Sequence, residues 1–193
     1  MSARVVLASG SPRRARILEA LGVPFRVVVT NADETLRAGE EAGAAAERLA
    51  RVKAACVQGE ALPVLAADTL VTCNGRILGK PGDAAEAAEM LRLLSGRAHE
   101  VVTGVCLAAG GRTLSGVERT TVRFATLTPR AVEWYVGTGE PLDKAGAYHV
   151  DGRGAAFIEA IEGSPSNVAG LPVRLVVTLA KQLGVDLGVP ETE

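Results

Sequence analysis

Apolar positions along this chain fall into two recurring patterns. Residues 4–8 (RVVLA) and 25–30 (FRVVVT) are dense in β-branched side chains and predict strands. Between them Ile17, Leu18 and Leu21 form an apolar face over 13–21. Ser11 is placed to act as N-cap there, Pro12 takes the first helical position, and Gly22 supplies the stop. A second helix is predicted over about 42–58, with Leu49, Val52 and Cys56 at helical spacing, and on that periodicity its Lys53 reads as a solvated lysine. Residues 63–72 (PVLAADTLVT) read as strand, and Asn74-Gly75 predicts a two-residue hairpin turn into 76–78. Asp83 caps a helix through 84–95 that Gly96 ends. Two long strands follow, 99–109 and 112–125, joined at Gly110-Gly111, and Thr128-Pro129 opens a helix to about 137. Residues 137–172 are rich in Gly and Pro and short on periodicity, which predicts a loop-rich, site-forming stretch. A final helix over 171–183 ends at Gly184, and the VPETE tail reads as frayed. Strand–helix units mixed with hairpins predict an α/β fold with a mixed sheet.

Composition narrows the partners. A length of 193 residues with 48% apolar content suits one domain, or one domain with a pronounced cleft. The 21 Lys and Arg against 22 Asp and Glu leave no bulk attraction for nucleic acid or an anionic membrane. Any anion site must therefore arise from a local concentration of positive charge. Aromatic residues at 3% supply few stacking platforms, which also argues against a nucleic-acid binder. Cys56, Cys73 and Cys106 form no close pair, and His99 and His149 stand alone, so neither a disulfide framework nor a zinc cluster is expected. No apolar run approaches membrane-spanning length, and the run in the first ten residues is too short for a signal peptide. The expected setting is the cytoplasm.

Four segments could carry chemistry. Ser9-Gly10-Ser11-Pro12-Arg13-Arg14 joins a strand to a helix N-terminus, where unsatisfied N–H groups and the helix dipole attract an anion. Arg13 or Arg14 would add a planar fork matched to phosphate oxygens, although a plain capped helix with solvated arginines would carry the same residues. Neither a Walker loop nor a GxGxxG motif is present. Asp68, with Thr69, sits inside the apolar run VLAADTLV, where a carboxylate is costly to bury unless paired or bound to a metal. An exposed Asp making a local turn bond is the alternative. Asp33-Glu34 offers a second carboxylate pair. Lys53, and Lys80 in Gly79-Lys80-Pro81, could each neutralise phosphate oxygens as point charges. In the stretch 140–172 the turns leave unexplained the density of Asp143, Lys144, Tyr148, Ser166 and Asn167. A Ser-His-Asp hydrolase lacks its GxSxG, and His99 reads as a structural, hydrogen-bonded histidine. His149 is left out of the catalytic set.

Taken in order, the segments LASGSPRR (7–14), Asp33-Glu34, Lys53 in RLARVKA, Ala67-Asp68-Thr69, Gly79-Lys80-Pro81, LSGRAHEVVTG (94–104), EPLDKAGAY (140–148) and IEGSPSNVAGLP (161–172) resemble the Maf family of nucleoside triphosphate pyrophosphatases. The resemblance runs across almost the whole chain. It implies a single Maf-like domain over 1–193 with an elongated mixed sheet, flanking helices and two lobes around a deep cleft, as in the inosine triphosphatase-like fold. It also implies hydrolysis of a nucleoside triphosphate to the monophosphate and pyrophosphate, aided by Mg²⁺ or Mn²⁺. By the same resemblance Asp68 is the general base and a metal ligand, and Glu34 is its metal or water partner. Ser9, Arg13, Lys53 and Lys80 fall on the family's phosphate-binding positions, and Ser11 and Arg14 join them as phosphate candidates on the local reading of the same turn. Arg13, Thr69 and Asp151 match positions that select the nucleobase. The segment DKAGAY favours the branch acting on dTTP and UTP, while Val150-Asp151-Gly152 departs from the Gln-Gly of that branch. A carboxylate at 151 cannot donate the hydrogen bond that an amide would.

The chemistry itself sets the same requirement. Attack of water at the α-phosphorus of a heavily negative triphosphate needs positive charge at the phosphoryl oxygens and one oriented water. Asp68 could accept that water's proton or hold the cation that acidifies it. The family's association with septum inhibition implies a second reading, a non-catalytic nucleotide-binding regulator of cell division. Sheet edges and family habit leave room for a homodimer.

Overall fold

Three β-branched segments pair in parallel at the start of the sheet. β1 (Val5–Leu7) lies between β2 (Phe25–Val27) and β3 (Val64–Cys73), with Val6 opposite Arg26 on one side and Val64 on the other. Parallel neighbours require a crossover. α1 (Pro12–Ala20) supplies it between β1 and β2, and α2 (Ala42–Ala55) lies between β2 and β3. At Asn74-Gly75 the φ values of 50° and 73° form the predicted tight turn, which folds β4 (Arg76–Leu78) antiparallel onto β3. Then come α3 (Ala84–Leu94), β5 (Ala98–Ala109), β6 (Arg112–Phe124), α4 (Pro129–Val136), β7 (Ile158–Glu162), α5 (Pro165–Val168) and α6 (Val173–Leu183). The strands follow the order β2-β1-β3-β5-β6-β7, with β4 on β3. The fold is α/β with a seven-stranded mixed sheet, as the alternation of patterns predicts. This computed structural model describes residues 2–57 and 59–190, so the predicted helix position 58 and the last three residues of the tail lie outside it.

The chain divides at Asp68/Thr69, Val102/Thr103, Glu118/Arg119 and Ala169/Gly170 into two compact units. In the first unit, side-chain alternation along the strands gives two apolar layers. Val5, Leu7, Leu65, Val105 and Leu107 pack with Leu18 of α1 and Val176 and Leu179 of α6. Val6, Ala8, Val64, Ala66 and Cys106 face the other way, onto Ala50 and Ala54 of α2. That second layer is thin because small residues build it. A Cβ added at Gly104 of β5 would lie well under 3.0 Å from the backbone of Ala46 and Glu47 in α2.

In the second unit, α3 and α4 contribute to an apolar core with Leu91, Leu94, Val101, Val122, Phe124, Tyr135 and Phe157. Asp83 caps α3 through a 2.8 Å bond from the Glu86 N–H, as predicted. His99 is buried among aromatic rings, with Nε2 3.0 Å from the Tyr148 hydroxyl and its ring edge-on to Phe124, which bears out a structural histidine. Burial pushes its imidazole down to about 4, only partly opposed by a hydrogen bond with the Arg97 backbone. The folded protein thus keeps this ring neutral while the unfolded chain takes a proton near pH ~6.5. Stability is then complete above that value and falls with acidification, by up to about 1.4 kcal/mol per pH unit, until the folded pKa is reached. Chemical denaturation between pH 7 and pH 4 should show this slope, and His99→Gln should flatten it by one proton's worth. An equal slope in both proteins would remove His99 as its source.

Four sequence expectations change. The 137–172 stretch is not only loop: three short 3₁₀ turns are followed by β7 and α5. The first two strands are shorter than predicted. Ser11 does occupy the N-cap position of α1, but its side chain makes no capping bond. The apolar face of α2 is not the Leu49-Val52-Cys56 line, because Cys56 is exposed and Val52 only partly buried.

Candidate active site

Alternation along β3 fixes where Asp68 points. Val64 and Ala66 face α2 in the thin alanine layer, and Asp68 is the next residue on that side. The carboxylate is 5% exposed and lies within the strand, so the exposed turn aspartate is excluded. A buried charge demands a partner. That partner is Lys53, whose Nζ donates to Asp68 Oδ1 at 2.6 Å and lies 3.0 Å from Glu34 Oε2. The predicted solvated lysine is therefore a correction: Lys53 is only 6% exposed. The buried face of α2 runs through Ala42, Ala45, Ala46, Leu49, Ala50, Lys53 and Ala54, and Lys53 sits one turn beyond Leu49.

Glu34 reaches this ammonium from the loop 28–41, with about half its side chain exposed. The loop is tied down on both sides of it. The Thr35 N–H donates to Asp33 Oδ1 at 3.0 Å, and hydrogen bonding from the Thr35 side chain, with this backbone bond second, holds the Asp33 carboxyl below its ordinary range. Arg48 of α2 grips Glu40 with a fork, Nε to Oε1 at 2.7 Å and Nη2 to Oε2 at 2.6 Å, and Nη2 also donates to the Thr35 carbonyl at 3.2 Å. The hydrogen bonds from Arg48 draw the Glu40 carboxyl down to about 2. Glu41 then caps α2, its Oε2 accepting from the N–H groups of Gly43 and Ala44.

The turn between β1 and α1 completes this cluster of the first unit. Ser9 is buried, and its Oγ accepts from the Ser11 N–H at 3.2 Å and from Arg14 Nη1 at 3.0 Å. Arg14 is directed inward, with Nε donating to the Gly170 carbonyl at 2.7 Å. Burial lowers its pKa, the charge of Asp68 opposes that, Arg13 adds to the lowering, and Glu34 opposes it. Arg14 thus senses Asp68, Arg13 and Glu34 together. Ser9, Ser11, Arg13, Arg14, Glu34, Lys53 and Asp68 all belong to the first unit.

Three other expected site residues belong to the second unit. Thr69, half-buried, follows Asp68 directly in β3. Lys80 is exposed just after β4, where the Gly79 carbonyl accepts from the Gly146 N–H at 3.0 Å and Pro81 is buried. Asp151 is exposed in a turn anchored by Glu140, whose carboxylate accepts from Tyr135 Oη at 2.8 Å and from the N–H groups of Arg153 and Gly154, each at 3.2 Å.

Among the described residues no cluster of three His, Cys, Asp or Glu side chains could hold a metal unaided. The donor set nevertheless suits a hard divalent cation. Mg²⁺ is commonly held by one or two carboxylates with substrate phosphates and water completing its shell, and Asp68 and Glu34 converge on one ammonium as such a pair. Sequence reasoning missed the Arg48–Glu40 fork and the role of Gly104. The second had a visible signal, since a lone glycine inside an apolar strand marks a close backbone approach.

A family model described as Maf-like protein matches residues 4–183. The chain belongs to the Maf-like protein family. Curated relatives agree over nearly full length. A dTTP/UTP pyrophosphatase of Anaeromyxobacter sp. (strain Fw109-5) is 52% identical over 95% of this chain and 91% of the relative. One of Bacillus thuringiensis subsp. konkukian (strain 97-27) is 45% identical over 95% of this chain and 97% of the relative. Among solved structures, the Staphylococcus aureus Ham1 protein aligns over 93% of this chain and 96% of its own, at 13% identity and a TM-score of 0.46. Among the described residues no helix is long and apolar enough to cross a membrane.

Proposed function

We propose that this Maf-family protein hydrolyses the α–β phosphoanhydride of nucleoside triphosphates, dTTP and UTP foremost, to the monophosphate and pyrophosphate. The observation that carries the reading is the buried Lys53 ammonium bound to Asp68 and Glu34, in a field that Arg14 shares. Such a site offers charges of both signs to one anhydride. The β1–α1 turn, with Ser9, Ser11 and the N-terminal N–H groups of α1, receives phosphate oxygens, and Arg13 adds its guanidinium. Arg14 holds the turn from beneath and lends its charge. Lys53 serves as a fixed cation between the two carboxylates. Asp68 orients the attacking water and accepts its proton. Asp68 and Glu34 would hold a divalent cation such as Mg²⁺ or Mn²⁺, which when bound neutralises phosphate charge and acidifies coordinated water. Lys80 contributes a further cation to the phosphates, while Arg13, Thr69 and Asp151 select the base. As a carboxylate, Asp151 only accepts, which suits a ring N–H of thymine or uracil. The three unpaired cysteines fit a reducing cytoplasm, where the nucleotide pool lies, and a homodimer is the assembly we propose.

The direct test is pyrophosphate release across canonical and modified triphosphates in Mg²⁺ or Mn²⁺. The expected outcome is one pyrophosphate per monophosphate, with the highest kcat/KM for dTTP and UTP. Binding without release for every triphosphate would instead favour a regulator of division.

A further inference from the structure

We propose that Arg48 is a positioning residue for Glu34, holding the loop 28–41 on α2 so that this carboxylate meets Lys53 and Asp68. The inference rests on the reading of Asp68 and Glu34 as the reaction site, and it concerns a residue that touches neither of them in the hydrogen-bond pattern. Glu34 is half-exposed and on a loop with no strand or helix of its own, where the bonds within the segment, Thr35 N–H to Asp33 and Arg37 N–H to Glu40, are local and do not tie it to the rest of the fold. Arg48 sits on α2 five residues before Lys53. Its guanidinium reaches out to that loop by three bonds, two to Glu40 and one to the carbonyl of Thr35, the residue next to Glu34. Glu40 passes the restraint on, since its Oε2 also accepts from the Arg37 N–H at 3.4 Å. The bidentate fork sets an orientation as well as a distance, which a single lysine charge would not do. With Lys53 and Arg48 on the same helix, the loop and the buried ammonium share one frame. A carboxylate displaced by about an ångström is enough to slow a reaction of this kind by about a hundredfold.

The experiment combines Arg48→Met, Glu40→Gln and Glu34→Gln, with cooperative melting confirming that each variant is folded. Arg48→Met and Glu40→Gln should each lower kcat/KM by about tenfold to a hundredfold. In the Glu34→Gln background, adding Arg48→Met should cost less than about threefold, because the residue it positions is already disabled. Fully multiplicative losses would overturn the proposal. A second readout needs no turnover: trypsin should nick the exposed loop at Arg37 about tenfold faster in Arg48→Met, as mass spectrometry of the fragments would show. An unchanged nicking rate would overturn the clamp. If the unsubstituted protein released no pyrophosphate, the reading of the site would fail separately, and the nicking rate would still decide whether Arg48 holds the loop.

Discussion

Asp68→Asn should lower the turnover of triphosphate hydrolysis by at least about a hundredfold, the scale on which loss of acid–base assistance is felt. The substitution keeps the shape of the side chain in β3 and removes its charge and its capacity to take a proton. It also alters the ion pair beneath it, since Lys53 would keep only Glu34 as a carboxylate partner. Stripping one member from a buried pair costs about 3–5 kcal/mol. An amide oxygen can still accept from Lys53 Nζ, so the stability loss should be smaller than that and the fold should survive. Pyrophosphate release and a thermal melt on the same preparation separate the two effects. A folded Asp68→Asn protein with ordinary turnover would take Asp68 out of the chemistry.

Gly104→Ala should damage the fold severely. Its Cβ would fall inside the backbone of Ala46 and Glu47, and backbone cannot swing aside as a flexible side chain can. Relief requires α2 to move off the sheet. Overpacking of a core costs about 1–3 kcal/mol and occasionally more, and a helix displaced along its length belongs at the upper end. For a chain of this size about 3 kcal/mol corresponds to a fall in Tm of about 6–12 °C. Because α2 carries both Lys53 and Arg48, activity at temperatures below the new Tm should fall as well. A melt within about 2 °C of the unsubstituted protein would show that α2 is not seated as closely as described.

The parts legible in the sequence are those with strong local signals. β-branched runs, Asn74-Gly75, Asp83 and Gly184 announce strands, a hairpin, a cap and a helix end, and each is where its chemistry places it. β7 was hidden because its five residues alternate weakly between Glu and Ile or Ala, inside a stretch dominated by turn formers. Lys53 was hidden for a different reason. Alanine is a faint hydrophobic signal, so the larger Leu49, Val52 and Cys56 dominated the periodicity and rotated the inferred face away from the true one. Asp68 was legible in the opposite sense, as a charge in a place that forbids an unpaired one. The identity of its partner depended on the seating of α2, which is a tertiary fact.

The inward bond from Arg14 to the Gly170 carbonyl joins residues 156 positions apart in the chain. Segments distant in sequence meet only after the intervening polypeptide exists, and such contacts slow folding. The turn between β1 and α1 is made long before the residue whose carbonyl anchors it. A nascent chain would therefore carry this turn in an unfinished state until residue 170 has been made, and a product truncated before that residue would leave the Arg14 guanidinium without this anchor.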